Sequence, residues 1–257
     1  MGWIREWKRR RVLEKHAIDD ALWARVAGSL PFLAGLKPGE AQRLKDMAIL
    51  FLAEKELASL RGMELSDADR LSIAIQACLP VLELGLEWYE GWVGVLVYPG
   101  DFRVRHEEMD DNGVLHEWED DLAGESWEGG PVVLSWDAVS EAGSVAQGGA
   151  NVVIHEFAHK LDMRNGGADG TPALHPGMDA ALWRTALGEA YTGFCDAVDR
   201  NKATWLDPYA AENPAEFFAV ASEAFFEAPG ELKRRYPALY DQFVLFYRQD
   251  PSLRLKA

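Results

Sequence analysis

Cysteine is scarce in this 257-residue chain, with only Cys78 and Cys195 present, each in an apolar setting. Two such residues exclude a disulfide framework and a thiolate zinc site, and read as reduced core thiols of a cytoplasmic protein. Long apolar runs are missing as well: none approaches the roughly 20 residues of a membrane span. Basic residues are outnumbered, 26 Lys and Arg against 42 Asp and Glu, for a formal net charge of −16. A surface of that sign repels phosphate backbones, which argues against nucleic acid as a direct partner. The first 15 residues, MGWIREWKRRRVLEK, depart from this balance, being basic with Trp3, Ile4 and Trp7 among the cations. No apolar segment of a secretory signal follows them, and Glu6 stands where a myristoylation pattern needs Ser or Thr. The stretch is short for a membrane-surface helix, so the expectation is a solvated helix start with its two indoles tucked onto the body.

What the chain does have is concentrated in Asn151 to Met163, NVVIHEFAHKLDM, where His155, Glu156 and His159 form the pattern H-E-x-x-H. Residues four apart leave a helix from one face, so the two imidazoles can close on one metal ion, and the pattern is a zinc-protease signature. Val152, Val153, Ile154, Phe157, Ala158 and Leu161 make the segment apolar nearly all round. That marks a buried helix, in which two histidines and a glutamate need partners. Glu156 lies beside the imidazoles without being a ligand. A carboxylate there can take a proton from water whose pKa zinc brings from about 15.7 toward 7. Asp162 returns to the metal-facing side and suits a carboxylate that orients an imidazole.

A catalytic zinc usually takes three protein ligands. The metzincin pattern would place Gly at 162 and His at 165, where this chain has Asp162 and Asn165, so that class is excluded. His175, Glu212, Glu216 and Glu223 remain as candidates for the third ligand. Glu216 and Glu223, seven apart, share a helix face, while Glu216 also stands three residues after Asn213, where it could close a capping box.

Around these residues the chain reads as α+β, mostly helical, with a small sheet beside the motif helix. One domain over 1–257 is expected, with a helical portion at 1–90 and a motif-bearing portion at 91–257. Helical spacing runs over Asp19–Val26, Lys37–Leu60 and from Ser66 through Leu79. Trp92–Tyr98 is β-rich, and the acidic segment Glu107–Glu128 predicts a mobile loop or a hairpin. Val132–Trp136 reads as a short strand, either an edge that holds a peptide backbone or a paired core strand. Further helices are expected over Ala180–Val198, from Asn213-Pro214 onward, and over Tyr236–Tyr247.

The run Tyr209-Ala-Ala-Glu-Asn-Pro-Ala-Glu216-Phe-Phe-Ala resembles the MtfA (Mlc titration factor A) family, and the motif-bearing half is similar to lethal-factor-type zinc proteases. Val97-Tyr98-Pro99, Gly130 to Trp136, Asn151 to Asp162, Ala219 to Glu227 and Gln249-Asp250-Pro251 extend the resemblance over about residues 70 to 251. It implies a gluzincin with one zinc ion (Zn2+), Glu216 as the third ligand beside His155 and His159, and Tyr209 assisting Glu156 in catalysis. It also implies aminopeptidase-like hydrolysis of peptide or amide bonds, binding to the transcriptional repressor Mlc or an analogue, and a link to glucose uptake. The alternative, from another class, is a non-enzymatic regulator that sequesters a repressor and uses zinc structurally. Structural sites favour four ligands, often cysteines, so three ligands with a free carboxylate beside them lean toward the enzyme.

Overall fold

The computed structural model describes residues 2–109, 115–127, 129–141 and 150–255. Four helices open the chain: α1 (Gly2–Lys15), α2 (Asp20–Gly28), α3 (Pro38–Glu54) and α4 (Asp67–Cys78). Their starts are built by capping: the Asp19 carboxylate accepts from the amides of Ala21 and Leu22, and Ser66 and Asp69 cap each other's amides at α4. Helices α3 and α4 bury Leu44, Ala48, Phe51, Leu71, Ile75 and Cys78 against each other and the rest of the core. Helix α1 packs on α3 through Val12 and Leu13, but its indoles do not tuck in: Trp3 is 76% exposed and Trp7 51%. Among the described residues no helix is long and apolar enough to cross a membrane.

The helix expected over Lys37–Leu60 stops at Glu54, and Glu56–Ser59 instead form strand β1. Pairing outweighs local pattern here, because β1 lies parallel to β2 (Gly94–Tyr98) with Leu57 opposite Val95. The sheet order is β1-β2-β6-β5, with β6 (Val132–Ser135) parallel to β2 and β5 (Gly124–Ser126) antiparallel to β6. All four residues of β6 are buried, so Val132–Ser135 is the paired core strand, and the edge beside the motif helix belongs to β5. Trp136 leaves the strand and begins α5 (Trp136–Glu141). Strands β3 (Phe102–Met109) and β4 (Leu115–Leu122) pair antiparallel from Phe102 opposite Leu122 to Met109 opposite Leu115. The acidic segment is therefore a hairpin in its arms, while 110–114 and 128 fall outside the described residues.

The motif helix α6 (Val152–Asp162) runs through the middle, against α8 (Pro214–Glu227), α4 and strands β5 and β6. Helices α7 (Ala180–Asp199), α9 (Pro229–Arg235) and α10 (Pro237–Tyr247) back α8. Behind it stands a wall of rings, with Trp183 stacked on Phe243 and Phe225 on Tyr247 at centroid separations of 5.7 and 5.4 Å. Each fully buried ring contributes roughly 1.5–3 kcal/mol of burial, which makes α8 a rigid platform. One contiguous core extends from Val26 to Tyr247.

Candidate metal centre

Asn151 fixes where α6 begins. Its Oδ1 accepts the Ile154 amide at 3.0 Å, and its Nδ2 donates to Gln76 of α4 and Glu227 of α8, both at 2.8 Å. Its own amide donates to the Glu223 carboxylate. The first turn is thus fastened to two neighbouring helices before the histidines are reached. On α8, Pro214 stands at N1 and Asn213 accepts the amides of Ala215 and Glu216.

That registration brings three of the expected residues together. His155 Nε2 is 3.0 Å from Glu216 Oε2, His159 Nε2 is 3.3 Å from the same oxygen, and the two Nε2 atoms are 3.2 Å apart. Among the described residues this trio is the one cluster with ligand atoms grouped tightly enough for a metal ion. Zinc bonds of about 2.0–2.1 Å at tetrahedral angles separate neighbouring ligand atoms by about 3.3 Å, so the triangle has the right size. The donor chemistry fits as well: two imidazole nitrogens and a carboxylate oxygen converge, all able to offer lone pairs to one cation.

Electrostatics sharpen the picture. Burial opposes protonation of His155, but hydrogen bonds to Glu216 and Glu223 outweigh it and hold its pKa well above the usual value. Burial works against the Glu216 carboxylate too, yet the two imidazoles hold it well below the ordinary range. Imidazole and carboxylate ligands must be deprotonated to bind a metal, so metal binding by this trio would release protons and depend on pH.

The other nitrogen of His155 is held from behind, with Nδ1 2.7 Å from Glu223 Oε1. Glu223 is buried, which raises its pKa while the His155 contact pulls it down. This is the carboxylate that orients an imidazole, a part expected of Asp162. Asp162 instead accepts the Gly170 amide at 2.7 Å, tying down the loop after α6. Gly170, at φ +79°, has no room for a Cβ beside the Pro214 carbonyl and Leu187. Burial pushes the Asp162 carboxyl up to about 6.

Glu156 projects about 100° round the helix from His155 and is buried by β5. A Cβ on Gly124 would come within 2.7 Å of Glu156 Cγ, so the strand passes over this carboxylate at a distance that glycine permits. Ser126, two residues on, donates its hydroxyl to the Glu156 carbonyl at 2.9 Å. Burial raises the Glu156 pKa, with the two imidazoles opposing. Tyr209 lies on the short turn Pro208–Ala211 that precedes α8, held by its amide to Asp207 at 2.9 Å. Its ring centroid is 6.2 Å from that of His155, and the residue is 44% exposed.

The remaining candidates lie elsewhere. His175 donates to the Phe246 carbonyl at 2.8 Å beside the Trp88 ring, and Glu212 is exposed before α8. Sequence reasoning did not single out Gly124 or the anchoring of Asn151. The shared face of Glu216 and Glu223 was the available signal for Glu223, since one carboxylate seven residues behind another can reach the back of the same imidazole.

Comparison with known proteins agrees with this geometry. The sequence matches the family described as glucose-regulated metallo-peptidase M90 over residues 4–248. It is 43% identical over 253 residues to Mlc titration factor A of Salmonella arizonae, covering 97% of this chain and 98% of that protein. The proteins of the same name from Salmonella gallinarum and Salmonella typhimurium are 43% and 42% identical over 255 residues, covering 97% of this chain and 93% of each.

Proposed function

This chain belongs to the glucose-regulated metallo-peptidase M90 family, and we propose from that premise that it hydrolyses peptide or amide bonds at a zinc ion held by His155, His159 and Glu216. The observation that carries the reading is the convergence of those three side chains within 3.3 Å contacts, with Glu156 buried beside them and not among them. Zinc so held supplies Lewis acidity to a scissile carbonyl and to water. Glu156 accepts the proton of the attacking water and returns it to the leaving amine, and burial, by raising its pKa, makes it a stronger base for the first transfer. Tyr209 donates a hydrogen bond to the developing oxyanion.

The substrate backbone lies along β5. The Ala123 carbonyl and the Trp127 amide face β6, through Ser135 and Pro131. By the alternation of a strand, the backbone groups of Gly124 and Ser126 face the side of β5 that pairs with no strand among the described residues, next to Glu156. A small, aminopeptidase-like substrate fits a recognition edge of three residues. The name shared by the relatives, Mlc titration factor A, supports Mlc or an analogue as a protein partner. A purely structural zinc is disfavoured by the three-donor set with a carboxylate left over.

The test is metal analysis of the purified protein together with a screen of amino-acid and peptide amides, with and without chelator. About one zinc per chain and hydrolysis abolished by chelation and restored by zinc are expected. Stoichiometric zinc with no hydrolysis of any amide would favour the regulator over the enzyme.

A further inference from the structure

Helix α1 presents a face that the metal centre does not use. With 100° of rotation per residue, Trp3, Trp7, Arg10 and Arg11 fall within an arc of about 100°, opposite the Val12 and Leu13 face that packs on the core. All four are exposed, as are Lys8 and Lys15 flanking the arc. The Arg11 guanidinium lies 4.9 Å over the Trp7 ring, so cation and indole form one continuous surface. Arg9, on the inner side, is 3.7 Å from Glu87, and the contacts with α3 fix which face turns outward.

Two exposed indoles stand four residues apart on this one face; outside α1, Trp127 is also exposed, singly, while Trp92 and Trp183 are buried. Charge is segregated in the same place. Residues 2–15 carry six basic and two acidic side chains, while the remaining sequence carries 20 basic and 40 acidic.

We propose that the outer face of α1 docks on an anionic lipid surface. Indoles settle at the level of lipid headgroups, with the ring body in the apolar margin and the N–H toward water. Lys and Arg beside them meet anionic headgroups, each contributing about fivefold in affinity. A neutral bilayer would leave the cations without counter-charge. The acidic body is repelled by the same headgroups, so the protein meets the surface through α1 and stays peripheral. The attachment is reversible and weakens with salt.

The experiment is co-sedimentation of the full, zinc-loaded chain with vesicles of phosphatidylcholine alone and of phosphatidylcholine with about one-third phosphatidylglycerol. Sedimentation with the anionic vesicles, little with the neutral ones, and release by salt are expected. Trp3→Ser with Trp7→Ser, and separately Arg10→Gln with Arg11→Gln, should each lower partitioning at least about tenfold and leave hydrolysis of a small amide unchanged. Both pairs sit on an exposed face, and unchanged hydrolysis certifies the fold. Equal sedimentation with both vesicle types, or wild-type partitioning in both double variants, would overturn the proposal. So would analytical ultracentrifugation showing a dimer that the Trp3/Trp7 variant loses while vesicle binding stays unchanged, since the face would then belong to a second copy.

Discussion

On the α8 flank of α6 the contacts are charged hydrogen bonds: Glu216 to both imidazoles, Glu223 to His155 and to the Asn151 amide. On the β5 flank contact is set by the absence of a side chain, with Gly124 lying on Glu156 and Ser126 on the helix carbonyl. The difference teaches how one helix serves two ends. On the proposed reading the cation site needs fixed charge and tolerates little drift, and α8 supplies that charge through Glu216 beside the α6 imidazoles and Glu223 behind them. On the proposed reading Glu156 transfers protons, and it lies secluded under the Gly124 backbone with the Ser126 hydroxyl alongside. In keeping with this, Glu156 Oε2 is buried without a hydrogen-bond partner among the described residues.

Changes on the two flanks should therefore fail in different ways. The largest effect is expected for Glu156→Gln, which keeps the shape and removes the base: turnover should fall by about 10²–10⁴ with zinc retained, as read by kcat and metal content together. Tyr209→Phe deletes one hydroxyl and should lower kcat by about 10²–10³ with KM and zinc little changed. Near-normal kcat would make Tyr209 a packing residue. Gly124→Val drives a branched side chain into Glu156, so a loss of kcat with zinc affinity intact is expected. If zinc is lost instead, the two flanks are not separable.

Glu223→Gln works on the opposite flank and should weaken zinc by about 10–100-fold, measured by chelator competition. The smallest effect concerns Asp162, whose carboxyl is pushed up to about 6 by burial. The folded state then holds a proton that the unfolded state loses near pH 4, so this group's stabilisation is full below pH 4 and lost as pH rises through 6. Asp162→Asn should flatten that part of the stability profile of the chelated protein, a difference on the order of 2–3 kcal/mol between pH 4 and 7. Parallel profiles for the two proteins would show that Asp162 does not titrate there.

The α8 flank was the more legible in the sequence. H-E-x-x-H follows from helical periodicity alone, and the Asn213-Pro214 start fixes the face on which Glu216 and Glu223 lie. What spacing could not provide was the division of labour between them, because both carboxylates satisfy the same periodicity and the approach of α6 to α8 decides which nitrogen each meets. The β5 flank was nearly silent. Gly124 matters through a side chain it lacks, and β1 was hidden in a helical pattern because four residues are too few to display a period of two. The indoles of α1 were misjudged for a related reason: composition shows that a segment is amphipathic, but which face meets the body depends on α3.

The measurement that bears most directly on the account is the zinc affinity of Glu216→Gln against wild type, taken by chelator competition on folded protein. Asn213 already caps α8 through its own side chain, so the substitution should leave the helix in place and remove only the ligand. A marked loss of zinc affinity with unchanged secondary structure is the predicted result. Stoichiometric zinc at wild-type affinity would contradict it and place the third ligand elsewhere.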